Sequence, residues 1–115
     1  MRKIEQEMVS AIKQRRNWKS SNTAVEVTKD GAIFVKLHGH IIAEASPYLG
    51  GTVKLADCGY QTATTKSRLN AVIKSLIGLN CGIFQKEYEW FFRRGDEIKR
   101  WSEVKGEWLG AGIFA

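Results

Sequence analysis

Little in this chain could staple it, divide it or carry it across a membrane. Its two cysteines, Cys58 and Cys81, are too few for a disulfide scaffold, so an apolar core must hold the fold and both thiols are expected to stay reduced. One proline, Pro47, and the lack of any repeat or low-complexity tract leave no linker. The 115 residues are therefore expected to form a single domain, long enough to bury about two thirds of the surface of the unfolded chain. No apolar run approaches the roughly 18 residues that a membrane-spanning helix needs. The opening stretch, Met1-Arg2-Lys3-Ile4-Glu5-Gln6-Glu7, lacks the apolar segment of an export signal, so a cytoplasmic protein is expected.

Catalytic signatures are missing as well. There is no Gly-x-Ser-x-Gly elbow and no phosphate loop. His38, His40, Cys58 and Cys81 are zinc-ligand types, but their spacing matches no paired-cysteine or Cys/His pattern of a structural site. A hydrogen-bonded turn histidine and buried, apolar cysteines are the simpler reading. Ser67 or Thr65 beside His38 would need a carboxylate partner, and no motif supplies one. The expectation is a non-enzymatic protein with no cofactor and no metal.

What the chain has in excess is positive charge. Eighteen Lys and Arg against 12 Asp and Glu give a net charge of +6 and a pI near 9.5, which favours an anionic partner such as nucleic acid or serves solubility alone. A hydrophobic fraction of 43% agrees with a packed globule.

The sharpest change of period lies at Cys58-Gly59-Tyr60-Gln61-Thr62-Ala63-Thr64-Thr65, where an extended run turns and enters a helix. Leu69, Val72, Ile73 and Leu76 repeat at i, i+3, i+4, i+7, predicting a helix over 65–76 that Gly78 ends and Thr64 or Thr65 caps. Lys66, Asn70 and Lys74 share its polar side, with Ser67 beside them. Residues 1–16 predict an N-terminal helix with Ile4, Met8, Ala11 and Ile12 on its apolar face. Residues 23–28, 32–38, 40–45 and 52–58 alternate as strands, with a tight turn at Asp30-Gly31 and another at Gly39. Residues 83–94 read as one long strand with Phe84, Tyr88, Trp90 and Phe92 on one side, followed by a turn at Gly95-Asp96 and a sixth strand over 97–101. Residues 102–115 read as a weakly structured tail whose Trp108, Leu109, Ile113 and Phe114 could meet the sheet or a second copy of the chain.

The fold class predicted is α+β: an antiparallel sheet of five or six strands packed on one main helix, plus the N-terminal helix, with 23–101 as the core. Two stretches carry a binding signal. At the helix start, Thr64, Thr65, Lys66 and Arg68 sit near free N–H groups suited to a phosphate, with Lys74 two turns on; a plain helix cap is the competing reading. Near the end, Arg93, Arg94, Lys99 and Arg100 stand beside Trp90, Phe92 and Trp101, where cations hold phosphates and exposed rings stack bases; core packing is the alternative for the aromatics.

With these residues in place, the chain resembles a family of small hypothetical proteins encoded by tailed bacteriophages. The resemblance covers much of residues 17–92: a tryptophan followed by Asn22-Thr23-x-Val25, then Leu37-His38-Gly39 with Ile42-Ala43, then Cys58-Gly59-Tyr60-x-Thr62-x-Thr64-Thr65-x-x-Arg68-Leu69-Asn70, then Ile83-Phe84-Gln85-Lys86 before Trp90. It implies a shared α+β fold and a place in the cytoplasm of an infected bacterium, with no activity attached. Phage origin turns expectation toward nucleic-acid binding, with an anti-defence factor that grips a host protein or sequesters a nucleotide signal as the alternative.

Overall fold

The computed structural model describes residues 2–47 and 51–110. Helix α1 (Lys3–Gln14) buries Met8, Ala11 and Ile12 and stops where Arg15 turns left-handed at φ 50°. Five strands then follow in the chain: β1 (Trp18–Ser20), β2 (Thr23–Val27), β3 (Ile33–Leu37), β4 (His40–Ala45) and β5 (Thr52–Leu55). Each pairs antiparallel with the next, because every connection is too short to cross over. One face of this sheet carries Val25, Ile33, Val35, Leu37, Val53 and Leu55, all buried. Gly31 supplies the positive φ of 93° that the Asp30-Gly31 turn requires.

Between β3 and β4 the register slips. Val35 faces Ala43 while Lys36 faces Ile41, leaving Ile42 as an extra residue. This bulge lets both Ile42 and Ala43 turn inward while Ile41 stays exposed, which simple alternation would forbid.

Helix α2 (Ala63–Leu76) covers the sheet with Leu69, Val72 and Ile73, as its spacing predicted. Its cap is Thr62, whose hydroxyl accepts from the Thr65 N–H at 3.1 Å, so the cap lies two residues before the nearer of the two expected threonines. The helix ends at Ile77 and Gly78.

The longest predicted strand is in fact a hairpin. Strands β6 (Cys81–Lys86) and β7 (Glu89–Arg94) are joined at Glu87 and Tyr88, with φ 52° and 67°, and β8 (Glu97–Arg100) completes a separate three-stranded antiparallel sheet. Two left-handed non-glycine residues cost roughly 1–2 kcal/mol each, which is why no Asn-Gly or Asp-Gly signal marked the turn. The inserted turn moves Phe84 to the opposite face from Trp90 and Phe92, which are buried with Cys81 and Ile83, and leaves Tyr88 96% exposed at the tip.

A short helix, α3 (Trp101–Val104), packs Trp101 against Trp90 with ring centres 6.0 Å apart. Strand β9 (Trp108–Gly110) then returns to pair with β5, completing the order β1-β2-β3-β4-β5-β9. Lys54 lies over the Trp108 ring at 4.6 Å, so this part of the expected tail belongs to the sheet. Ile113 and Phe114 lie outside the described residues.

Three polar contacts fix how these layers meet. Arg68 of α2 reaches Glu5 of α1 at 2.7 Å and donates from Nε to the Thr23 hydroxyl of β2 at 2.9 Å, while the Ser67 hydroxyl also donates to Glu5. Asn70 acts as a missing strand for the edge of β6: its amide donates to the Ile83 carbonyl at 3.1 Å and its oxygen accepts the Ile83 N–H at 2.6 Å. Asp57, just after β5, accepts from the Trp101 indole at 2.8 Å, from Gln61 and from the Gly59 N–H.

Burial pushes the Glu5 carboxyl up, but hydrogen bonds from Ser67 and Arg68 and the guanidinium charge outweigh it and leave its pKa below the usual value. At Asp57 burial is likewise outweighed, by the Gly59, Gln61 and Trp101 donors and the Lys105 charge. A carboxylate with a lowered folded pKa gives stability that is present above its unfolded pKa and lost as pH falls through the folded one. Denaturant unfolding should therefore show this stability holding above about pH 5 and declining below about pH 4, less steeply in Asp57→Asn. Arg68→Met alone should cost about 3–5 kcal/mol in the same measurement, and Glu5→Leu with Arg68→Met should recover most of it.

Candidate nucleic-acid interface

The three-stranded sheet has two unlike faces, set by its register. Gly82 faces Arg93, Phe84 faces Phe91, Lys86 faces Glu89, and β8 adds Ile98 opposite Arg93 and Arg100 opposite Phe91. Period-2 alternation puts all of these on the side away from Trp90 and Phe92. Phe84 and Phe91 are half-buried, and their rings stack with centres 5.5 Å apart and planes 20° apart. The central aromatic pair is thus flanked by the guanidinium-bearing strands β7 and β8.

A groove of about 450 Å³ runs along this face toward the end of α2, lined by Asn70, Lys74, Leu79, Phe84, Arg93 and Ile98 among others. Gly82 lies in it beside Asn70, where an added Cβ would come within 3.1 Å of the amide oxygen. Glycine is therefore what allows Asn70 to close on the strand edge and shape the groove floor. Leu79 is 84% exposed and Ile98 56% exposed, so apolar surface continues beyond the phenylalanines.

The nine residues singled out from the sequence do not form one surface. Lys74 and Arg93 come together in the groove, and Arg100 joins Arg93 on the outer face, its Nε 3.6 Å from the Glu89 carboxylate. Arg94 and Lys99 belong to the other face: Arg94 donates to the Gly110 carbonyl, and Lys99 lies 3.7 Å from Glu97 in a hollow shared with Glu103 and Glu107. Arg68 is a correction, because it is 4% exposed and its charge is met by Glu5, which leaves nothing for a phosphate. Of the two readings open for the aromatics, core packing holds for Trp90, Phe92 and Trp101, whereas Phe84, placed on their side from the sequence, lies half-buried on the outer face beside Phe91. Period-2 counting carried Phe84 to the Trp90 side because the two-residue turn reverses the phase, whereas Phe91, next to Trp90, falls on the outer side either way.

Thr64 and Thr65, at the start of α2, line a second cleft of about 450 Å³ together with His38, His40, Tyr60 and Thr62. Lys66 is half-buried on the next part of the helix and is not among the cleft's lining residues. Cys58 also borders the cleft, but its thiol donates to the Ile41 carbonyl at 3.1 Å. Burial and the neighbouring Asp57 charge raise its pKa, so the thiol stays protonated and a poor nucleophile at neutral pH. Among the described residues no three His, Cys, Asp or Glu side chains converge as a metal site, and no helix is long and apolar enough to cross a membrane.

Comparison with known proteins gives one match. A family model described as Kyanoviridae Gp96 protein covers residues 1–110, including α1 and the stretch beyond Gly95 that the sequence resemblance did not reach. No curated protein and no solved structure matches the chain. The family fits the phage resemblance read from the sequence, and over that span the chain belongs to the Kyanoviridae Gp96 family of phage proteins.

Proposed function

We propose that this phage protein is a non-enzymatic nucleic-acid binder whose contact surface is the outer face of β6, β7 and β8. The observation that supports this reading is the stacked Phe84–Phe91 pair on a sheet face that also carries Arg93 and Arg100, with Phe84 and Arg93 lining a groove together with Lys74. Aromatic faces stack on bases only where the bases are unpaired, while the cations neutralise the backbone, so the ligand is single-stranded DNA or RNA. Duplex contact through phosphates alone would not use the phenylalanines.

The alternative expected from the sequence, capture of a host protein or a nucleotide signal, draws support from a different place, the cleft at the start of α2. Tight binding of a free nucleotide with no binding of oligonucleotides would select that reading.

Titration of labelled oligonucleotides followed by fluorescence anisotropy should show a single strand bound more tightly than the matching duplex. Phe84→Ala and Phe91→Ala should each weaken binding by about 1–3 kcal/mol while leaving the fold intact by circular dichroism. Absence of binding at low salt, or equal affinity in the Phe84→Ala/Phe91→Ala variant, would refute the proposal. Across a salt series, affinity should fall steeply, and Lys74→Ala or Arg93→Ala should each reduce the slope by about 0.7. Lys99→Ala, on the opposite face, should leave the slope unchanged.

A further inference from the structure

We propose that the cleft at the start of α2 is a second binding site, one that takes an uncharged nucleobase or nucleoside. It shares no lining residue with the basic groove, so the proposal stands whether or not the outer face binds a strand.

Two turns of the same kind build the cleft. His38-Gly39 has φ 51° and 80°, and Cys58-Gly59 has φ 54° and 84°; both are left-handed pairs that reverse the chain in two residues. Each delivers a ring at the next position, His40 from one and Tyr60 from the other. The rings meet with centres 5.3 Å apart and planes 35° apart, forming an open wedge instead of a closed stack. Tyr60 remains 54% exposed although Leu37 and Ile42, both buried, lie within reach as a floor. An exposed aromatic wall over an apolar floor matches the flat face of a heterocycle.

The polar groups define the edge of the ligand. Thr64 and His38 border the same space, and a hydroxyl and an imidazole can donate to or accept from ring nitrogens and carbonyls, whereas the Thr62 hydroxyl is held by Thr65 in the helix cap. Asp57 also borders it, but its oxygens are taken by Trp101, Gln61 and Gly59. Among the described residues that line the cleft there is neither lysine nor arginine, so these residues are not arranged for a polyphosphate. A volume of about 450 Å³ lies in the usual range for small-molecule sites.

The full-length chain should be titrated with adenosine and cytidine, with ribose and inorganic phosphate as controls, and followed by amide NMR shifts. The expected result is a saturable shift centred on His40, Tyr60 and Thr64 with at least one nucleoside and with neither control. Tyr60→Ala should weaken it tenfold or more, Tyr60→Phe should restore it, and Phe84→Ala should leave it unchanged. Shifts with phosphate alone, shifts confined to the Phe84 face, no saturable shift with either nucleoside, or an unaltered affinity in Tyr60→Ala would each overturn the proposal. Because Tyr60 is more than half exposed, its variants should keep the parent spectrum elsewhere, so loss of binding reports on the ring and not on folding.

Discussion

Two polar side chains of helix α2, Arg68 and Asn70, tie it to the layers on either side, and the positions of both sheets follow from satisfying them. A buried guanidinium without a partner is far too costly to keep. Arg68 therefore draws Glu5 and Thr23 to itself, fixing α1 and the six-stranded sheet against one side of the helix. Two residues on, Asn70 must find both a donor and an acceptor, and the unpaired edge of β6 offers one of each at Ile83. The smaller sheet is thus hung on the helix by its edge. Its remaining inner face is closed by Trp101, whose indole is held in turn by Asp57 next to β5. Apolar burial supplies the bulk of the stability, but it is non-directional and would tolerate many arrangements. These hydrogen bonds select one.

The charge distribution of the smaller sheet is a direct consequence of its register. Along β7 and β8, Arg93 and Arg100 share the outer face with Phe84 and Phe91, while Arg94 and Lys99 turn the other way. On that other side Glu97, Glu103 and Glu107 gather, and Arg94 is tied to the Gly110 carbonyl. Sequence neighbours of the same charge therefore part company: Arg93 stands exposed on the outer face, where it donates to the Gly95 carbonyl, and Arg94 turns to the other side. A run such as Arg93-Arg94 cannot be treated as one patch. Only alternate residues can reach a common ligand.

The reach of sequence reasoning differs from element to element for physical reasons. The meander from residue 23 to 55 was legible because one of its faces is solvated, which leaves clean alternation, and because Gly31 and Gly39 mark its reversals. Helix α2 was legible from its apolar spacing. The turn at Glu87-Tyr88 was not, since neither residue type favours a positive φ and the run on either side is equally strand-like. Missing it inverted the assignment of Phe84, and with it the aromatic part of the candidate surface. Arg68 was misjudged because a helical cation reads as exposed unless its partner is known, and that partner, Glu5, lies 63 residues away in the chain. Thr64 or Thr65 was expected to cap α2, but both lie in its first turn behind the Thr62 cap, and the rings that complete the cleft come from two separate turns.

Leu79, Ile98, Phe84 and Phe91 together leave apolar surface in contact with water, and surface of that kind needs an occupant or a means of staying soluble. In a two-fold contact between copies the same patch meets itself, so a face carrying Lys74, Arg93 and Arg100 with Glu89 as its acid on β7 would bring net positive charge against net positive charge. The net charge of +6 adds a long-range repulsion between copies. The C-terminal residues that suggested self-association are partly used within the protein, since Trp108 and Leu109 pair with β5. A single-stranded polyanion, the ligand proposed above, would instead bring phosphates to these cations and bases to the rings beside them. The same charges that would oppose a second copy are the ones the proposed single-stranded ligand would meet.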